Sequence, residues 1–382
     1  MARSTGRICG VLLAAMAAAA PQSAPPGQQS AAQPAPHWQS QYLYDEDKSA
    51  LNIVDLAFPS ARRGVAVGFI AQGKSNEPIS LVTADGGQRW QRVPIRKIPV
   101  SLFFLNDGLG WMVTEKGQLW QTNEAGRNWT ELPKPPGEVL RVYFTDERNG
   151  WAVGTKKSVL ETHDGGKHWS AVAAAAQPPG EAQYSAYTVI TFANPQNGLI
   201  AGLNLPPQRW AQDLPDWVDP ASAIDHHTLP HLIYTLSTRD GGKTWNPTSA
   251  SVFGETARVR FLPNGQGLGL MLYPQDFQYP SEVYKVDWRT GRSSTIYKDP
   301  KFAVSDIWLD DNGTAYLAGV VSQARLRDVV PGKVEVLTSK DYVNWTEMPV
   351  DYRATGHRVV LASAGGETWM ATDAGMILKL VR

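Results

Sequence analysis

Cysteine is almost missing from this sequence: the one cysteine in 382 residues is Cys9. No disulfide framework is therefore available. A net charge is missing too, because 36 Lys and Arg balance 36 Asp and Glu. The first twenty residues hold Arg3 and Arg7 and no acid, so without them the balance is 34 bases against 36 acids, a net of −2. A chain with no basic excess has little to neutralise phosphates with, so nucleic acid is not expected as a partner. Long apolar runs are also missing. VLLAAMAAAA (11–20) is the nearest, and it is too short to span a bilayer. After Arg3 and Arg7 it reads as the core of a secretory signal over 1–20. Cys9 lacks the Leu and small residues that precede a lipid-bearing bacterial cysteine, so no lipid anchor is expected. A disulfide-free exported chain suits a bacterial periplasm. Residues 21–37 (PQSAPPGQQSAAQPAPH) are a Pro, Gln and Ala spacer expected to be disordered. No serine triad context, phosphate loop or nucleotide fingerprint appears.

What is present is repetition. TADGGQRW (83–90), TNEAGRNW (122–129), THDGGKHW (162–169), TRDGGKTW (238–245) and the worn TSKDYVNW (338–345) all place Thr seven residues before Trp. Ahead of these boxes come short apolar strands such as NIVDLAF (52–58), PVSLFF (99–104), VLRVYF (139–144) and YTVITF (187–192). A turn follows, then Gly and a second apolar strand, as in GVAVG (64–68) and GWAVG (150–154). A third strand runs into the box and the Trp opens a fourth. Three further units, from ARVRF (257–261), VSDIWL (304–309) and HRVVLA (357–362), bring the number to seven. Trp90, Trp129 and Trp169 are 39 and 40 apart, and the 76 from Trp169 to Trp245 is one repeat plus an insertion of about 36 residues. Four strands in about 40–50 residues mark a β-propeller blade. The expected fold is all-β: one seven-bladed propeller over 38–382. The last unit ends after MILKL (376–380) without a fourth strand, and 38–44, within HWQSQYLY (37–44), is expected to supply it and close the ring.

The box is read as turn chemistry. The hydroxyl and carboxylate can satisfy backbone N–H groups across the turn, Gly can take a left-handed conformation, and Trp can bury its ring between blades. That assigns structural roles to Thr83, Asp85, Gly87 and Trp90; to Thr122, Glu124, Gly126 and Trp129; to Thr162, Asp164, Gly166 and Trp169; and to Thr238, Asp240, Gly242 and Trp245. Glu124 should make its turn looser through its extra methylene, and Tyr342 at a Gly position should force a different turn.

S/T-x-D-x-G-x-x-W is similar to the Asp-box, or BNR repeat, of sialidases, xyloglucanases and sortilin-like propellers. The longer pattern, DLAF then GVAVG and TADGGQRW, then GWAVGTKKSVLETHDGGKHW, resembles the photosystem II stability/assembly factor family. It covers roughly 38–174 well and continues with departures: the insertion, VDWRTGRSST (286–295) in place of a box, and the worn sixth copy. The resemblance implies a seven-bladed lumenal or periplasmic assembly factor that binds unfinished membrane-protein subunits. It does not imply photosynthesis.

Two places could carry function. Aligning the innermost strands puts Asp55, Ser101, Arg141, Val189, Arg258 and Asp306 at equivalent depth, with Arg358 after a one-residue shift. Arg forks suit a carboxylate or acidic peptide, and the competing reading is that these acids and bases pair with one another. The insertion 204–231 holds Trp210 and Trp217, candidate interface anchors or rings folded back into the loop. Its His226, His227 and His231 lack a specific zinc spacing, so no metal is expected. For a glycosidase, Asp213, Asp216 and Asp219 are the available acids, while IRKIP (95–99) is misplaced and lacks the aromatic of the sialidase motif. The reading adopted is a non-catalytic, monomeric, exported protein-binding propeller with no cofactor, assisting an envelope membrane protein. The alternative is a carbohydrate-active propeller.

Overall fold

A computed structural model describes residues 35–207, 230–262, 264–273, 277–288, 290, 292–310, 312–321 and 331–382. Among them, seven antiparallel sheets follow one another along the chain as the blades of a β-propeller. Blade 1 runs Ala50–Ala57, Gly64–Gln72, Ser75–Thr83 and Gln91–Pro94. Blade 2 runs Pro99–Phe104, Gly110–Thr114, Gln118–Thr122 and Thr130–Glu131. Blade 3 is Val139–Phe144, Gly150–Gly154, Val159–Thr162 and Ser170–Ala171. Blade 4 is Ser185–Asn194, Asn197–Asn204, His231–Thr238 and Asn246–Val252. Blade 5 is Glu255–Phe261, Gln266–Leu272, Ser281–Asp287 and Arg292–Lys298. Blade 6 is Phe302–Leu309, Ala315–Val321, Gly332–Ser339 and Thr346–Met348, with Thr355–Gly356 added beside its third strand. Blade 7 takes Val359–Ala364, Glu367–Thr372 and Met376–Val381 from the end of the chain, and its outer strand His37–Leu43 from the beginning. No helix of the described residues is long and apolar enough to cross a membrane.

The closing strand starts one residue earlier than Trp38. Trp38 is nearly fully buried among residues of blades 6 and 7, and its amide donates to Pro349 O at 2.8 Å. The N-terminal strand thus ties two blades together rather than only covering an edge.

Side chains gather mainly between blades, in clusters that join each blade to the next. A recurrent aromatic sandwich explains why these residue types repeat. Trp111 of blade 2 stacks on Phe144 of blade 3 at 3.7 Å, and Trp169 meets the same Phe edge-on. Across the closure, Trp369 of blade 7 stacks on Phe58 of blade 1 at 3.6 Å, with Trp90 edge-on. The second strand opens on glycine because the Phe ring lies against it: a Cβ at Gly150 would sit 2.4 Å from Phe144. The stacked Trp also donates across the interface, Trp111 Nε1 to Gly165 O at 3.2 Å and Trp369 Nε1 to Gly86 O at 3.0 Å.

Those carbonyls belong to the repeated turns. Thr83 Oγ1 donates to Asp85 Oδ1 at 2.9 Å and accepts from Gly87 N at 3.0 Å, while Asp85 Oδ1 accepts from Arg89 N at 3.0 Å. Thr162, Asp164, Gly166 and His168 repeat the pattern, as do Thr238, Asp240, Gly242 and Thr244. In blade 2, Thr122 still accepts from Gly126 N at 3.1 Å, but the Glu124 carboxylate turns to the Asn128 side chain at 2.7 Å. Blade 6 is shifted by one residue. Its hydroxyl is Ser339, donating to Asp341 Oδ1 at 3.0 Å, and Tyr342 takes φ 62° where glycine would sit easily. Thr338, seven before Trp345, is not the capping residue; its buried hydroxyl has no partner among the described residues.

Candidate functional site

Six of the seven innermost strands carry a β-bulge, and the residues just past it are Asp55, Ser101, Arg141, Val189, Arg258 and Asp306. The bulge skips one residue at the same point in each blade, which brings these side chains to one level. Most of them line a cavity of about 260 Å³ at the centre of the propeller.

Two of the acids are staples between blades. Asp55 accepts from Leu56 N at 3.0 Å and from Leu102 N of blade 2 at 2.9 Å. Asp306, fully buried, accepts from Ile307 N at 2.9 Å and Leu361 N of blade 7 at 2.9 Å. The matching contacts make Leu361 the counterpart of Leu102, so blade 7 contributes Val360 to the ring. Arg358 lies before the inner strand, and its Nη2 donates to Val54 O at 2.8 Å. Ser101 Oγ similarly donates to Leu140 O at 2.8 Å.

The acids also face two of the bases. Arg258 Nε lies 3.3 Å from Asp306 Oδ1, and Arg141 Nη1 lies 3.8 Å from Asp55 Oδ2. Burial works against a charged Arg258, but Asp306 and Asp55 outweigh it and hold its pKa up. Burial first, then the neighbouring Arg258, pulls Arg141 down to about 10, which leaves it charged at neutral pH.

The level legible from aligned inner strands is followed by a second, which carries a further residue. Two residues further along the inner strands stand Ala57, Phe103, Tyr143, Thr191, Arg260, Trp308 and Ala362, and all seven line the cavity. Arg260 has no ion-pair partner among the described residues. Its Nε is buried without a hydrogen-bond acceptor, and its guanidinium lies 5.3 Å from the centre of the Trp308 ring. Burial lowers its pKa while Asp306 opposes the shift. The signal was in ETARVRF: with a period of two, Arg258 and Arg260 share a side of the strand. Three arginines (Arg141, Arg258 and Arg260) therefore line the cavity, with the charge of Arg358 close enough to bear on Arg141, while the two aspartates have oxygens already engaged. The centre of a molecule with no net charge is locally cationic and equipped to hold an anion.

Trp210 and Trp217 lie outside the described residues, as do Asp213, Asp216, Asp219, His226 and His227. Around them, the second strand of blade 4 ends at Asn204 and the third begins at His231. Among the described residues, no group of His, Cys, Asp or Glu is arranged to hold a metal ion.

Residues 131–204, from the end of blade 2 into the second strand of blade 4, match the family described as photosynthesis system II assembly factor YCF48. No curated protein matches in sequence. Among solved structures, YCF48 bound to a D1 peptide is similar with a TM-score of 0.57 at 15% identity, covering 89% of this chain and 99% of that one. YCF48 from Cyanidioschyzon merolae gives 0.53 at 15% identity, covering 90% and 98%. A GH74 xyloglucanase from Xanthomonas campestris gives 0.61 at 11% identity, covering 90% of this chain and 53% of the enzyme. At such identities the structures show a common fold. With its blade pattern, its seven sheets and the match over 131–204, the chain is a seven-bladed β-propeller that resembles the YCF48 photosystem II assembly factors.

Proposed function

We propose that this protein is an exported, non-catalytic propeller that binds an acidic segment of a partner polypeptide in its central channel, and so assists the assembly or stability of an envelope membrane protein. The observation that carries this reading is Arg260, a half-buried cation without an ion-pair partner among the described residues, in a cavity already lined by Arg141 and Arg258. A guanidinium in that position favours a ligand carboxylate, which it can hold with two parallel hydrogen bonds. A structurally similar propeller that binds a D1 peptide supports a polypeptide ligand. The engagement of Asp55 and Asp306 by backbone amides weighs against their use as a glycosidase acid–base pair. Export to the periplasm rests on the signal-like 1–20 segment.

The test is a crosslinking pull-down from the envelope of the native host with the mature protein, with Arg260→Gln and with a version lacking 204–231. A defined membrane-protein partner recovered by the mature protein and lost with Arg260→Gln supports the channel. The same partner lost only with the deletion would move the contact to the blade 4 insertion. Recovery of no partner by any version would sink the assembly role.

A further inference from the structure

We propose that the channel contains an apolar subsite beside Arg260, and that its ligand is an acidic peptide segment with an aliphatic or aromatic side chain next to the carboxylate. This inference rests on the peptide-binding reading above. It comes from the uneven second level of the channel wall. Ala57 and Ala362 are neighbours there, because blades 7 and 1 adjoin. Both carry only a methyl group, with Ala362 itself nearly covered, so across these two blades the wall projects least into the cavity and leaves a shallow gap. Trp308 of blade 6 flanks the gap on one side and Phe103 of blade 2 on the other. Tyr143 packs 4.9 Å from Phe103 and extends the aromatic wall away from the gap.

These rings are only partly buried, unlike Trp111 and Trp369 in the blade interfaces. An apolar side chain lodged between Trp308 and Phe103 would take their exposed area out of water, which is favourable and directional for aromatic partners. The cation and the aromatic wall are contiguous, since the Arg260 guanidinium lies 5.3 Å from the Trp308 ring centre. A ligand carboxylate on Arg260 therefore places the adjoining residue at the gap. A merely anionic ligand would use the first feature and leave the second idle.

The test is fluorescence anisotropy of the mature protein with two labelled hexapeptides, Gly-Gly-Glu-Leu-Gly-Gly and Gly-Gly-Glu-Ser-Gly-Gly. The Leu peptide is expected to bind at least about tenfold tighter. Ala57→Leu, which fills the gap, should abolish that preference while the Ser peptide still binds. Trp308→Ala should also reduce the preference, and it provides an independent reading if Ala57→Leu fails to fold. Equal affinities for the two peptides would overturn the apolar subsite and leave the acidic-peptide reading standing. No measurable binding of either peptide would overturn both.

Discussion

At the scale of single residues, carboxylates hold this protein together by accepting backbone amides. In the turns, the side chain and then the amide of Arg89 hold Asp85 down to about 2, and Thr244 does the same for Asp240. Asp164, held by His168, and Asp341, held by the amides of Asn344 and Val343, are pushed lower still. A carboxylate whose folded pKa lies below its unfolded value contributes stability above that unfolded value, and loses it as pH falls through the folded one. Thermal stability should therefore decline as pH drops from about 4 toward 2, and scanning calorimetry across that range checks it. A combined Asp85→Asn and Asp240→Asn variant should show a shallower decline. Glu124→Asp should raise the melting temperature by about 1–2 °C, because the shorter side chain can again reach the backbone amides. Asp306 is a different case, fully buried with Arg258 against it. Asp306→Ala should cost about 3–5 kcal/mol in denaturant unfolding, because it strands a mostly buried guanidinium and the Leu361 amide.

At the scale of strands and blades, the unit of stability is the interface between one blade and the next. The Phe of one inner strand, the Trp of the preceding blade and the glycine opposite form one object at Phe144, Trp111 and Gly150. Gly150→Ala should lower the melting temperature more than Trp111→Phe, because a Cβ 2.4 Å from a ring cannot be accommodated without moving the blade. Much of this was legible in the sequence. Phe, Gly and Trp recur at fixed spacing, so strand order, blade number and the closing role of 38–44 follow from counting. The bulges were not legible. They are set by backbone pairing, and in blade 7, where the inner strand carries no bulge, the alignment placed Arg358 at the ring instead of Val360. The blade 6 turn misled for a related reason. Counting back from Trp345 selects Thr338, while the turn is built on Ser339 and Asp341. Arg260 lies one level beyond the ring that strand equivalence picks out, although strand alternation places it on the same side as Arg258.

At the scale of the whole molecule, a ring made from a linear chain must be joined where its ends meet. His37–Leu43 pairs with Met376–Val381, and Trp38 seals the joint. Trp38→Ala should cost about 3–5 kcal/mol, and proteolysis under mild denaturant should then begin at the blade 7 end. The ring also places the arginines around one axis, where their charges add although the chain as a whole carries no net charge. The central claim is that this axis receives an acidic polypeptide. Hydrogen exchange of the protein with and without Gly-Gly-Glu-Leu-Gly-Gly tests it most directly. The account predicts slower exchange confined to the innermost strands, strongest near Arg141, Arg258 and Arg260, and lost in Arg260→Gln. Protection at the outer strands or the turns, with the innermost strands unchanged, would contradict it.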